Sequence, residues 1–346
     1  SCPLLPSANC STLAAYTQSL LDSGVSLPVY RGELNTIFEG CYTTHADIKL
    51  NNRAAENLLC IAETLAVLSG LEARESLREA WRLVLFNQFH DLLDGSAIHQ
   101  SYEKSAVDFA QAKTVANQII GEALLVLSRG FEDGSILVTN PLGWERSGWV
   151  NLPGKKGVGS YRLISDRGHQ TVGQYTSEGF GFVARVPAFG TVSYKLAGLV
   201  SQDESLKVVP SFAPLDILGV ETQVGKREPP YYRVETPFFS VYIRQDSGIL
   251  TSFLDKRTQR ELVHYGMRRG SDYFDTARPD LALNVFQVLK ERPHPMSAWH
   301  MDEIYSEQSL LDGAISALVE TGAARIVLEV KHNLADLAIN QKIIFY

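Results

Sequence analysis

Two hydrophobic periods divide the chain near residue 130. Before that point, apolar residues recur every three to four positions over residues 45–68, 72–93 and 98–127. This spacing predicts three helices, each with an apolar stripe along one face. The connections are short and contain Gly70 and Gly95, where glycine commonly ends a helix. Three helices joined by short connections predict an antiparallel three-helix bundle.

After residue 130 the period falls to two, which is typical of β-strands. Segments such as SILVTN, GFGFVARV and RIVLEVKH are strand-like, and Gly, Pro, Asp and Asn separate them. Residues 245–262 predict a hairpin with turns at 246–248 and 255–256. Many short strands without intervening helices predict a large antiparallel β-sandwich. The predicted fold class is therefore α+β and multidomain, with the bundle first and the sandwich second.

Composition excludes several classes of function. The 346 residues suffice for about two domains, and the net charge of -7 argues against general affinity for nucleic acid or an anionic membrane. No apolar run reaches the roughly 18–20 residues of a membrane span, and no basic and apolar leader opens the chain. The four cysteines are too sparse for a disulfide scaffold. We expect free thiols in a reducing compartment, hence a cytoplasmic protein.

His90 is the best candidate for a metal donor. The eight histidines form no HxxxH or HxH pair, so spacing predicts no complete zinc site within the chain but allows a shared one. The pattern places His90 in the last turn of the second helix, with Asp91 about 100° around it. The two side chains could face different parts of one ligand. Alternatively, His90 is a helix C-terminal histidine, stabilised by the helix dipole or packed against Phe86.

Other chemical signals are weaker. Many acids are present, but no spacing singles out a catalytic carboxylate pair. Nucleophile elbows, phosphate loops and dinucleotide fingerprints are absent from the sequence. The segment ERPHPMSAWHMD, residues 291–302, concentrates aromatic, histidine and acidic residues in a loop. Such a loop could contact a sugar or could simply pack against the protein.

Three stretches together resemble one enzyme family. They are FEGCYTTHADIKLNNRAAENLL from residue 38, the segment around VLFNQFHDLLDGSAI up to residue 98, and VTNPLGWERSGWV from residue 138. They resemble the α-mannosidases of glycoside hydrolase family 38. The stretch GCYTTHADIK is most similar to the bacterial and cytosolic branch of that family. The resemblance implies a helical middle domain followed by a β-sandwich of the galactose-mutarotase-like type.

The resemblance also implies a site. The family is retaining and zinc-dependent, and His90 matches the middle-domain histidine that completes the zinc site. Asp91 matches the adjacent aspartate that holds mannose hydroxyls, and Phe38 falls where some relatives place an aromatic that lines the sugar site. The implied partner is a mannose-containing oligosaccharide, and large enzymes of this type often form homo-oligomers.

The resemblance finally implies a domain organisation. Residues 1–28, which include a short amphipathic helix, would be the end of a catalytic barrel, residues 29–130 the helical middle domain, and residues 134–346 a truncated sandwich. The barrel would supply the nucleophile, the acid/base and the other zinc ligands, so we expect the isolated chain to be inactive.

A second hypothesis is a stand-alone carbohydrate-binding or scaffolding module. A third hypothesis, a sugar isomerase, has less support, because no His/Glu pair stands out in the β region.

Overall fold

A computed structural model shows the architecture. It describes residues 10–30, 38–200, 207–211, 231–263, 282–296, 298–334 and 337–346. The chain divides into two compact units, Ser1–Glu39 and Gly40–Tyr346. In the described part the protein combines helices with antiparallel sheets, which confirms an α+β fold class. No helix of the described residues is long and apolar enough to cross a membrane.

The first unit contains helix α1, Leu13–Asp22. The Thr12 side chain caps its start by accepting a hydrogen bond from the Ala15 N–H at 3.2 Å. Gly24, in the left-handed conformation at φ 68°, follows its end. This agrees with the short amphipathic helix predicted from the sequence.

The helices of the second unit pack around a common apolar core. A 3₁₀ helix, Glu39–Tyr42, crosses from the first unit into the second and is followed by α2 (Ala46–Ser69), α3 (Arg74–Phe86), α4 (His90–Leu93) and α5 (His99–Leu127). Leu59 of α2, Val84 of α3 and Phe109 of α5 are fully buried together. Burial of such side chains contributes about 1.5–3 kcal/mol each to folding. The amphipathic stripes seen in the sequence therefore face one another.

One helix boundary differs from the prediction. The second predicted helix, residues 72–93, is interrupted: α3 ends at Phe86 and a separate single turn, α4, begins at His90. Phe89 is extended at φ -61° and ψ 137°, so the chain changes direction between the two helices. His90 consequently lies at the start of a new helix and not in the last turn of α3.

Four antiparallel sheets follow the helices in the described residues. The strands are β1 (Ile136–Thr139), β2 (Arg146–Pro153), β3 (Ser160–Ser165), β4 (Gln170–Thr176), β5 (Gly179–Val186), β6 (Thr191–Leu199), β7 (Lys207–Ser211), β8 (Tyr231–Glu235), β9 (Phe239–Arg244), β10 (Leu250–Asp255), β11 (Arg260–Glu261), β12 (Gln287–Glu291), β13 (Ile304–Ser309), β14 (Ile315–Glu320), β15 (Ile326–Asn333) and β16 (Ala338–Phe345). Their orders are β1-β6-β3-β4-β5-β2, β11-β10-β9-β8-β7, β12-β13 and β14-β15-β16. The hairpin predicted at residues 245–262 is present as the antiparallel pairings of β9, β10 and β11.

Two of these sheets share a core. Val241 and Ile243 of β9 are buried in the same apolar cluster as Ile326 and Leu328 of β15. The six-stranded sheet has its own cluster around Phe182 and Tyr194. The core residues Phe180, Phe182, Ala184 and Val186 of β5 lie at every second position, as a period of two predicts.

The segment of residues 291–302 packs against the helical part of the second unit. The Gly40 N–H donates to the Trp299 carbonyl at 2.8 Å, and the Trp299 indole N–H donates to the Gly95 carbonyl at 3.3 Å. Thr44 Oγ1 also donates to the Ala298 carbonyl. Of the two interpretations of this loop, the described residues agree with a packed loop. It contacts the residues that immediately follow α4.

Candidate functional site

His90 and Asp91 lie together on the surface at the start of α4. His90 Nε2 is 3.3 Å from Asp91 Oδ1, and their side chains are 79% and 55% exposed. The expectation that the two side chains diverge is wrong. Adjacent Cβ atoms on a helix do point about 100° apart, but both side chains are largely exposed and turn toward each other. They form one exposed pair of an imidazole and a carboxylate.

The aromatic neighbour of His90 is Phe89. Their ring centroids are 4.3 Å apart with planes inclined by 46°. The alternative interpretation, a helix C-terminal histidine, is wrong in position because His90 is the first residue of α4. The first turn also carries the positive end of any helix dipole, which favours the carboxylate of Asp91 there. Phe89 is itself 57% exposed, so this aromatic and the pair form a continuous surface.

One face of α4 is apolar and packs against α2 and α5. Leu92 is buried with Ile48 of α2 and Tyr102 of α5. The far end is closed by Asp94, whose Oδ1 accepts from the Ser96 N–H at 3.0 Å and from the Ser96 hydroxyl at 2.8 Å. Gly95 next to it has φ 88°, and an added Cβ would lie 2.7 Å from Thr44 Cγ2. The short helix therefore has one buried face and one face that presents His90 and Asp91.

The donor chemistry of this pair suits zinc, but the donor set is incomplete. Zinc takes imidazole nitrogen and carboxylate oxygen, and a catalytic zinc usually has three protein ligands. Among the residues that the structure describes, no group of three His, Cys, Asp or Glu side chains is placed to hold a metal ion. This chain therefore offers at most part of a zinc site. The sequence prediction of a shared site is compatible with this geometry and stays a prediction.

Phe38 belongs to the other compact unit. Its backbone is left-handed at φ 54°, and its side chain is 45% exposed. A positive φ is uncommon for a bulky residue and marks a sharp turn. Because Phe38 and His90 fall in different units, the predicted role of Phe38 beside a sugar remains a prediction.

Sequence reasoning missed a polar group close to the end of α4. Burial lowers the pKa of Lys49, although the charges of Cys41 and Asp94 oppose that shift. Burial, followed by the charge of Asp94, raises the pKa of the Cys41 thiol. The Lys49 ammonium donates to the Thr44 carbonyl. The only sequence signal for Lys49 was its place in the GCYTTHADIK stretch, since an isolated lysine on a helix usually faces solvent.

Comparison with known proteins finds similar sequences for part of the chain. The family described as the alpha mannosidase middle domain matches residues 36–127. Alpha-mannosidase 2C1 of Homo sapiens is 31% identical over 170 residues, which cover 46% of this chain and 16% of that protein. The Mus musculus counterpart is 33% identical over 153 residues, which cover 42% of this chain and 14% of that protein. The chain thus spans less than a fifth of the length of these curated relatives.

Solved structures extend the likeness to the β region. An alpha-mannosidase from Enterococcus faecalis V583 superposes with a TM-score of 0.56 at 13% identity, covering 92% of this chain and 39% of that one. A glycosyl hydrolase family 38 protein from Enterococcus faecalis gives 0.54 at 14% identity, covering 93% and 40%. At such identities the likeness concerns the fold alone, and it includes both the helices and the sheets.

Proposed function

We propose that this chain is part of a zinc-dependent α-mannosidase of glycoside hydrolase family 38, because residues 36–127 match the family described as the alpha mannosidase middle domain and the fold is similar to that of a glycosyl hydrolase family 38 protein. The whole protein hydrolyses terminal α-linked mannose from oligosaccharides with retention of configuration. In such hydrolysis one carboxylate attacks the anomeric carbon and a second carboxyl group protonates the leaving oxygen. Both groups come from outside this chain, so the chain alone is inactive.

The observation that supports the proposal is the His90–Asp91 pair. The two side chains are 3.3 Å apart, exposed, and inside the segment that matches the middle-domain family. His90 would be one zinc ligand, and zinc, when bound, would act as a Lewis acid toward the sugar hydroxyls. The neighbouring carboxylate orients the imidazole and accepts hydrogen bonds from mannose hydroxyls. Phe38 would supply an aromatic face toward the sugar.

The finer architecture belongs to the same proposal. We infer that α2, α3 and α5 form the antiparallel three-helix bundle, since all three contribute to one core. The face-to-face packing of β8–β10 against β14–β16 supports a sandwich of the galactose-mutarotase-like type. The bundle then presents α4 at its end. The free thiols of the described cysteines suit a cytoplasmic enzyme, for which we also propose homo-oligomerisation.

Zinc content and hydrolysis of an aryl α-mannoside by the whole protein test the proposal. His90→Ala should remove zinc and activity together, whereas Asp91→Asn should keep zinc and weaken substrate binding. His99→Ala is the matched control, because His99 is a similarly exposed histidine, 78% accessible, at the start of α5. Loss in the control as well would point to general damage.

The competing function is a non-catalytic carbohydrate-binding or scaffolding module. It is favoured if the unsubstituted whole protein binds no zinc and hydrolyses no aryl α-mannoside. Retention of zinc and activity by His90→Ala would instead remove His90 from the site of an enzyme. Measurable hydrolysis by the isolated chain would overturn the statement that its catalytic groups lie elsewhere.

A further inference from the structure

We propose that Asn87 and Gln88 are positioning residues: their side-chain amides hold the chain between α3 and α4 so that His90 and Asp91 are presented to solvent in a fixed direction. The functional meaning of this presentation rests on the proposed function. The anchoring itself rests on the contacts of two consecutive residues with two different helices.

Asn87 is bonded to α5. It is only 2% exposed, and its Nδ2 donates to Asp108 Oδ2 at 3.1 Å and to the Leu83 carbonyl at 2.8 Å. Asp108 is 3% exposed and also accepts from Lys104. Burial of an amide and a carboxylate is costly unless both are hydrogen-bonded. The pair therefore specifies where α3 stops relative to α5.

Gln88 is bonded to α2. Its Nε2 donates to Glu56 Oε1 at 2.8 Å and to Asn52 Oδ1 at 3.1 Å. The adjacent residues 87 and 88 thus reach opposite neighbours, one on α5 and one on α2. Phe89 then adopts its extended conformation, and His90 begins α4 directly after this clamp. The Leu92 and Leu93 N–H groups both donate to the Phe89 carbonyl at 3.0 Å, so the residue that directly follows the clamp accepts the first hydrogen bonds of α4.

Ordinary capping of α3 does not explain Asn87. Asparagine is common after a helix because it tolerates a left-handed backbone, but Asn87 has φ -85°. Its side chain instead enters the protein interior. Gln88 has no capping preference, yet it makes two bonds to a helix more than 30 positions earlier in the sequence. Together these facts indicate that the side-chain bonds of Asn87 and Gln88 stabilise the break between α3 and α4.

Chymotryptic cleavage at Phe86 and Phe89 under native conditions tests the clamp without metal. Local opening controls such cleavage. Gln88→Met keeps the side-chain length and removes both donors, and it should accelerate cleavage by about tenfold or more. Gln88→Lys retains donors for both acceptors and should cleave like the unsubstituted chain. Lys113→Met is the matched control, because the Lys113 ammonium of α5 bonds α2 directly, at 2.8 Å to Asn51 Oδ1, without involving residues 87 and 88. Asn87→Leu serves as a second variant on the α5 side.

The zinc affinity of the whole protein is the second measurement. Loss of a group that orients a metal ligand typically weakens metal binding by about 10–100-fold. Gln88→Met should show that loss in protein that still unfolds in a single cooperative urea transition, and Gln88→Lys should not. Unchanged cleavage overturns the clamp, and faster cleavage with unchanged zinc affinity overturns its positioning role. If instead His90→Ala keeps zinc, the proposed function fails while the cleavage result stands by itself.

Discussion

Gln174 and Arg325 bind each other reciprocally across two sheets. The Arg325 backbone N–H donates to Gln174 Oε1 at 2.8 Å, and Gln174 Nε2 donates to the Arg325 carbonyl at 3.0 Å. Both residues are almost fully buried, at 2% and 4% exposure. The Gln174 side-chain amide of β4 thus pairs with the backbone N–H and carbonyl of Arg325, the residue just before β15, as a neighbouring strand would. This contact joins the six-stranded sheet to the three-stranded sheet.

Loss of that amide should destabilise the β region. Gln174→Leu leaves the Ala324 and Arg325 N–H groups buried without their acceptor, and each unsatisfied group costs about 1–3 kcal/mol. We expect the free energy of unfolding to fall by about 2–5 kcal/mol in urea titrations. Gln170→Leu, on the exposed part of the same strand, is the control and should change little. Equal effects of the two substitutions would contradict the importance of the reciprocal contact.

The helical core should respond strongly to a cavity. Phe109 is fully buried among α2, α3 and α5, so Phe109→Ala should cost about 3–5 kcal/mol. Val107 lies two residues earlier on the same helix and is 62% exposed. Val107→Ala should therefore change stability by no more than about 0.5 kcal/mol. Calorimetric or chemical unfolding of both variants measures the difference, and a mild Phe109→Ala would show that the core collapses around the cavity.

Two glycines should respond to alanine with opposite signs. Gly121 lies inside α5, and a Cβ there meets no atom within 4 Å. Gly121→Ala should stabilise the protein by about 0.5–1 kcal/mol, because glycine loses more conformational freedom in a helix. Gly130 is equally open but has φ +94°, where alanine is strained, so Gly130→Ala should lower the melting temperature. The same sign for both would contradict the backbone explanation.

Asp255 should contribute a pH-dependent part of the stability. Hydrogen bonds from the Arg257 side chain lower the pKa of Asp255 from 3.8 to about 2. The folded-state pKa is depressed, so this contribution is complete above the ordinary pKa and is lost as pH falls toward about 2. The melting temperature should thus drop less between pH 4 and pH 2 in Asp255→Asn than in the unsubstituted chain.

Arg257→Gln provides a second test of the same pair. The Arg257 guanidinium donates to both carboxylate oxygens of Asp255, from Nε to Oδ1 at 3.1 Å and from Nη2 to Oδ2 at 2.9 Å. Its removal should also flatten the acid dependence, because the largest cause of the depressed Asp255 pKa is then gone while the backbone hydrogen bonds remain. An acid dependence that survives both substitutions must come from other carboxylates.

The interrupted second helix shows where prediction from sequence stopped. Leu85 and Phe89 keep helical spacing across the break, so the apolar pattern runs on to residue 93. The break depends on Asn87 and Gln88 finding acceptors on α5 and α2, 21 to 36 positions away in the sequence. No local preference encodes such partners. The same reasoning missed Lys49, whose pKa depends on burial that only the packed helices create.

The sequence by itself determined the two periods, the sites of the long helices and many of the strands, and the candidates His90 and Asp91. These follow from local spacing and from motifs, which a chain carries whether or not it is folded. Only the tertiary structure decided that His90 starts its own helical turn and that its imidazole meets the Asp91 carboxylate at 3.3 Å. It also decided that the segment around Trp299 packs against Gly40 and Gly95. Such contacts join residues distant along the chain, and their energies exist only after the elements have packed.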